Sequence, residues 1–225
     1  MSDEKSLKYN EPWILQRADP YVYRHTDGSY YFTSSVPAYD GIVLRRAGTL
    51  AELSGAEEVM VWKKHESGPM SYHIWAPEIH YINDKWYIYY AADDGNTDNH
   101  QLYVLENSSP DPMEGKFEMK GSIITNPEWN WGIQATTFEH KGVRYLAWSG
   151  WPKRRTNAET QCIYIARMKD PWTLDSPRVL ISKPEYEWER QWVNPDGSRT
   201  AYPIYVNEGP QFFHSKDNKT LILYY

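Results

Sequence analysis

Pro77-Glu78-Ile79-His80-Tyr81, then Asn83-Asp84, then Trp86-Tyr87-Ile88-Tyr89-Tyr90: a strand, a tight turn and an aromatic strand decide the fold, because the chain writes this unit four times. It first occurs as Asp19-Pro20-Tyr21-Val22-Tyr23, Asp27-Gly28, Tyr30-Tyr31-Phe32. It returns as Gln134-Ala135-Thr136-Thr137-Phe138, Lys141-Gly142, Tyr145-Leu146-Ala147-Trp148, and as Glu208-Gly209-Pro210-Gln211-Phe212, Asp217-Asn218, Leu221-Ile222-Leu223-Tyr224. The Gly, Asn and Asp residues between the strands supply the positive φ that two-residue hairpins need.

A second unit follows the first three copies. Its third strands are Ile42-Val43-Leu44, Leu102-Tyr103-Val104-Leu105 and Ile163-Tyr164-Ile165-Ala166. Its fourth strands are Val59-Met60-Val61-Trp62, Phe117-Glu118-Met119 and Val179-Leu180-Ile181. Helical periodicity is scarce, so the chain reads as all-β. Four antiparallel strands recurring every sixty residues or so (roughly) make a β-propeller blade. A sandwich has no need of such similar first strands. Residues 1–225 read as a single propeller domain with three complete blades and half of a fourth, incomplete at its C-terminal end.

Composition narrows the function. The chain has 225 residues and a formal charge of −6, with acids and bases interspersed. That argues against nucleic acid, whose phosphates call for a basic face. No apolar run is long enough to span a bilayer. Met1-Ser2-Asp3-Glu4-Lys5 is charged and lacks the apolar stretch of a secretory signal, so a cytoplasmic protein, or one whose signal has been removed, is expected. Cys162 is the one cysteine and reads as a small buried hydrophobe. The 11 Trp and 19 Tyr serve packing between blades, with some left over for stacking on sugar C–H faces. Lys153-Arg154-Arg155 reads as a solvated loop.

In a propeller the first strand of each blade lines the central channel. Counting back four residues from Tyr23, Tyr81, Phe138 and Phe212 equates Asp19, Pro77, Gln134 and Glu208, with Glu78 one step beyond Pro77. Two carboxylates far apart in sequence then face one pocket. Inverting glycoside hydrolysis requires this: one acid protonates the leaving oxygen and one base activates water, at a separation of about 6.5–9.5 Å.

Ala18-Asp19-Pro20, Ile74-Trp75-Ala76-Pro77-Glu78 and Asn207-Glu208-Gly209-Pro210, in this order, resemble the motifs of glycoside hydrolase family 43. The resemblance runs from about Arg17 to Tyr225. It implies a five-bladed β-propeller, with Asp19 as general base and Glu208 as general acid. Thr33-Ser34-Ser35-Val36-Pro37 and His73-Ile74-Trp75-Ala76-Pro77-Glu78 look most like exo-acting α-L-arabinofuranosidases. The substrate implied is an arabinose- or xylose-containing oligosaccharide. A β-xylosidase, an endo-arabinanase and a non-catalytic carbohydrate-binding propeller are the alternatives.

The family's third acid, which raises the pKa of the general acid, opens the third blade in a pattern like Gly-Ile-Asp-Ala-Thr. Here that stretch is Gly132-Ile133-Gln134-Ala135-Thr136, so a neutral amide replaces a charge. His73, Trp75, Glu78 and Trp151 are candidates for substrate binding. Each has a structural alternative: bracing for Glu78, the core for Trp75 and Trp151, and a scaffold role for His73. The seven histidines show no metal-ligand spacing, so no metal is assigned. Related propellers hold an axial calcium or water cluster near a histidine of the last blade, which these copies do not include.

Overall fold

The structure, a computed structural model, describes residues 12–153, 159–193, 199–217 and 219–225. The charged run at residues 1–5, Arg154 and Arg155 of the basic cluster, and Asn218 of the last turn lie outside the described residues.

Three antiparallel blades follow one another along the chain. The first is β1 (Ala18–Arg24), β2 (Tyr30–Ser35), β3 (Gly41–Ala47) and β4 (Glu58–Lys63), paired in that order. The second is β5 (Tyr72–Ile82), β6 (Lys85–Asp93), β7 (Gln101–Asn107) and β8 (Glu118–Ser122). The third holds β9 (Gly132–His140), β10 (Val143–Gly150), β11 (Glu159–Asp170), the short β12 (Thr173–Leu174) and β13 (Val179–Ser182), with β13 on the outer side of β11. A hairpin of β14 (Arg190–Val193) and β15 (Arg199–Val206) comes next, and β16 (Gln211–His214) with β17 (Thr220–Leu223) opens a fourth unit.

The turns follow the sequence in two of four cases. Asn83 and Asp84 both lie at positive φ, as do Lys141 and Gly142, giving two-residue hairpins whose twist matches the strands. The first and fourth connections are longer. His25–Ser29 and Ser215–Lys219 are each closed by a backbone bond across the loop, of 2.8 Å and 2.9 Å.

Aromatic density explains how the blades stack. Trp86, Tyr31, Tyr90, Ile88 and Leu44 fill the space between the first two blades. Trp148, Tyr89, Leu146, Val104 and Tyr164 fill the next. Blade two has a neighbour on both faces, so β6 is buried almost without interruption rather than in alternation. Each Ile or Leu taken fully from water contributes about 1.5–3 kcal/mol. Cys162 is buried among these side chains, and burial pushes its thiol up to about 11.

The β14–β15 hairpin has no counterpart in the repeat. β15 lies parallel to the start of β11, pairing Glu159–Gln161 with Ile204–Val206. It delivers the chain to Asn207 and Glu208. Asn207 is fully buried and anchors this arrival point on blade three: its side chain bonds Glu189 at 2.6 Å and Ser182 at 2.7 Å, and its carbonyl accepts from Ser149 at 3.0 Å.

Candidate active site

Each blade's first strand breaks its ladder near its start, and β5 does so a second time between Tyr72 and Trp75, where His73 turns left-handed at φ 51°. The register shifts between Ala18 and Tyr21 in β1, and between Trp75 and Glu78 in β5. In β9 it shifts between Ile133 and Thr136. At each break one residue turns left-handed: Asp19 at φ 49°, Ala76 at 45°, Gln134 at 50°. Gly209, at 59°, does the same just ahead of β16. Strain of this kind costs of order 1 kcal/mol or more at a non-glycine residue and concentrates at functional sites.

The bulges correct the alignment drawn from the sequence. Asp19 is equivalent to Ala76, Gln134 and Gly209. Glu208 stands one residue earlier, alongside Ala18, Trp75 and Ile133. Glu78 stands two later, alongside Tyr21, Thr136 and Gln211. The ladder partners show why: Tyr23, His80, Phe138 and Phe213 pair at the same level of the hairpins, not Tyr81 and Phe212.

Asp19, Gln134, Glu208 and Trp75 nevertheless line one cavity of about 160 Å³. An adjoining cavity of about 220 Å³ shares Asp19 and Gln134 and adds Glu78, Gln211 and Tyr225. Asp19 is half-buried, and both carboxylate oxygens are met. The Ser35 hydroxyl donates to Oδ2 at 2.8 Å and the Gln134 amide to Oδ1 at 3.2 Å. Ser35 is itself fixed, its oxygen accepting the Ala76 N–H at 2.7 Å.

Gln134 can point only one way. Its Nε2 also donates to the Tyr225 hydroxyl at 2.9 Å, and its Oε1 accepts the Gly209 N–H at 2.7 Å. A flipped amide would set acceptor against carboxylate and donor against N–H. Burial holds the Tyr225 hydroxyl above its usual range, and the Glu208 and Asp19 carboxylates push it the same way. One phenol therefore feels both acids. Glu208 is half-buried, and its backbone pairs both ways with Tyr225, at 2.6 Å and 3.0 Å. A side chain at 209 would collide with the Tyr225 ring, so glycine is required there.

Glu78 is buried on the inner side. It accepts from Gln211 and meets His80 Nε2 at 3.2 Å, and Tyr21 lies 3.5 Å from the other His80 nitrogen. Burial, then the Glu78 charge, holds the Tyr21 hydroxyl well above its usual range.

Trp75 lines the Asp19 cavity with its ring stacked on His100, centroids 4.4 Å apart. Trp151 does not join it. It is 2 % exposed and stacked flat on Trp131 at 4.4 Å, so of its two readings the core holds, beside a different hollow. His73 sits behind Trp75, with its Nδ1 at 2.9 Å from both oxygens of Asp93.

His73, Asp93 and His100 bring three donor atoms within 4.8 Å of one another, a group that no sequence spacing marked. Burial works against the Asp93 charge, but hydrogen bonds from His100, the Gly95 N–H and His73 bring its carboxyl below the usual range. The separations of 2.6 and 2.9 Å are those of hydrogen bonds to a shared acceptor. Two imidazoles and one carboxylate do not suit calcium, which takes six to eight oxygens.

The family model for glycosyl hydrolases family 43 matches residues 9–224. The chain belongs to this family. It is 43 % identical over 219 residues to the extracellular exo-α-(1→5)-L-arabinofuranosidase of Streptomyces chartreusis, covering 96 % of this chain and 62 % of that protein. It is 46 % identical over 210 residues to a protein of the same name from Streptomyces avermitilis, covering 91 % and 40 %. The crystal structure of an α-L-arabinofuranosidase from Lactobacillus brevis superimposes with a TM-score of 0.75 at 34 % identity, over 95 % of this chain and 84 % of that one. The chain thus spans between two fifths and two thirds of the two Streptomyces relatives.

The propeller reading of the repeat stands. The cytoplasmic expectation does not, because both Streptomyces relatives are named as extracellular. It leaned on residues 1–5, whose charge says nothing about export. Sequence reasoning also passed over Ser35, Tyr225 and Asn207. Ser35 and Asn207 stood inside the quoted motifs, and each is a small polar residue beside a strand end, the one available signal.

Proposed function

We propose that this family 43 chain is the catalytic propeller of an inverting glycosidase that releases L-arabinofuranose from arabinan or arabinoxylan fragments outside the cell. In this reading residues 1–225 belong to one five-bladed domain. The observation that carries it is the single cavity lined by Asp19, Glu208 and Trp75. Asp19 is the general base: Ser35 and Gln134 hold its carboxylate as an acceptor, ready to take a proton from water. Glu208 is the general acid and protonates the leaving oxygen, so that water attacks the anomeric carbon from the opposite face.

Trp75 packs on the C–H face of the sugar, with Glu78 and His73 holding the surrounding groups in place. Gln134 positions the pair without charge. That neutrality favours a second reading, a carbohydrate-binding propeller without turnover.

The test is hydrolysis of nitrophenyl α-L-arabinofuranoside against nitrophenyl β-D-xyloside, with the released anomer followed by NMR. Arabinofuranoside turnover with inverted product is expected. Retention of configuration overturns the mechanism, preference for the xyloside overturns the substrate, and binding without turnover supports the second reading.

A further inference from the structure

Trp75 lines the Asp19 cavity, yet no hydrogen bond fixes its ring: its Nε1 is buried and has no partner among the described residues. An indole held in this way keeps its tilt only through the groups packed on it. His100 lies against it nearly parallel, at 26° and 4.4 Å between centroids. His73 meets it tilted at 5.3 Å, and Tyr39, which lines the same cavity, meets it edge-on at 6.0 Å. Two of these three rings are imidazoles.

Both imidazoles are tied to one carboxylate. His100 Nδ1 lies 2.6 Å from Asp93 Oδ2, and His73 Nδ1 lies 2.9 Å from each Asp93 oxygen. Asp93 is fully buried and also accepts the Gly95 N–H at 2.8 Å. These hydrogen bonds hold its carboxyl below the usual range, so Asp93 is an acceptor and each Nδ1 donates to it. The far nitrogen of His100 is buried without a partner among the described residues, so Asp93 alone orients that ring by hydrogen bonding. An ionised acceptor does this well, because charge-assisted bonds are shorter and roughly twice as strong as neutral ones.

The backbone builds the arrangement. Asp93 ends β6 and pairs with Tyr72 at the start of β5. From that pair to the next, Trp75 with Ala91, three steps of β5 face two of β6, which makes a bulge. His73 takes up the bulge at φ 51°. One break in the ladder thus sets His73 on Asp93 two residues before Trp75 reaches the cavity. His100 arrives separately, immediately before β7.

We propose that Asp93 is a positioning residue for the sugar platform: through His100 and His73 it holds the Trp75 ring at a fixed tilt in the Asp19 cavity. It touches no substrate itself. This deepens the proposed glycosidase, on which the presence of a sugar at Trp75 rests, but the rigidity of the ring does not depend on turnover.

Asp93→Asn tests it. The amide keeps the shape, removes the charge and sets an NH₂ where an oxygen received an imidazole N–H. The first readout is ¹⁵N relaxation of the Trp75 indole N–H in the ligand-free chain, its resonance assigned by its loss in Trp75→Phe. The order parameter should fall from about 0.85 to below about 0.6. The second readout is hydrolysis of nitrophenyl α-L-arabinofuranoside. A platform grips the sugar alike in ground and transition state, so KM should rise about tenfold while kcat stays within about twofold. His73→Phe keeps a ring beside Trp75 but cuts its hydrogen bond to Asp93. It should loosen the indole and raise KM about threefold, and it decides the matter where Asp93→Asn does not fold. An indole as rigid as the parent's in a folded variant, or a loss confined to kcat, overturns the proposal. A parent chain that hydrolyses nothing bears on the proposed function alone and leaves the relaxation readout to decide.

Discussion

The start of β1 and the start of β9 are the same piece of backbone carrying different chemistry. Asp19 and Gln134 stand at equivalent bulges, at φ 49° and 50°, and line the same cavity. One is a carboxylate that accepts two hydrogen bonds, the other an amide that donates one of them. Ala76 occupies the equivalent bulge of blade two with no functional group, and Gly209 that of the fourth unit. The propeller therefore fixes where a side chain enters the cavity, while the residue there decides whether it brings charge. Three of the four positions hold residues that pay for a left-handed backbone, which only glycine adopts freely.

Asp19→Asn breaks this comparison most severely, because it makes the first bulge as neutral as the third. Turnover should fall about 10⁴-fold on every substrate, since water activation is needed whatever the leaving group. Thermal unfolding should move little by comparison. A variant that keeps turnover within tenfold of the parent on nitrophenyl arabinofuranoside would remove Asp19 as the base.

Glu208→Gln sharpens the contrast between the two acids. Protonation matters for a sugar leaving group and hardly at all for nitrophenolate. The expected loss is about 10³-fold on arabino-oligosaccharides and much smaller on nitrophenyl arabinofuranoside. Equal losses on both would count against Glu208 as the acid and leave it as a binding residue.

The comparison also marks what the sequence made legible. Blades were readable because each copy announces itself with a turn and an aromatic strand. The bulges were not, because a residue count cannot see φ, and Asp19, Ala76 and Gln134 share no residue type that marks a left-handed turn. Counting from Tyr81 and Phe212 therefore slipped by one. The β14–β15 hairpin escaped because β15 pairs with β11, a tertiary choice outside the repeat. Trp151 was left between two readings for a related reason: whether a ring after a strand is open or covered depends on Trp131, twenty residues earlier. His100 went unnoticed because its partners, His73 and Asp93, meet it only through the ends of β5 and β6.

Gln134→Asp restores a charge to the third bulge and has the smallest expected effect. In the parent, the amide reaches both Asp19 Oδ1 and the Gly209 N–H. Aspartate is one methylene shorter and brings a second negative charge toward Asp19 and the connection between β15 and β16 that carries Glu208. A like charge disfavours ionisation of its neighbours. The group that must keep its proton then keeps it to higher pH, so the alkaline limb of the pH–rate profile moves up. The group that must lose its proton loses it later, so the acid limb moves up as well. The whole bell should shift upward by about one pH unit, which corresponds to roughly 1.4 kcal/mol of charge interaction. Gln134→Asn separates length from charge: it shortens the side chain equally, and its profile should stay where the parent's lies while kcat falls. A profile that Gln134→Asp leaves unmoved, or that Gln134→Asn moves just as far, would mean that charge at this bulge does not tune the pair and that Gln134 acts through its hydrogen bonds alone.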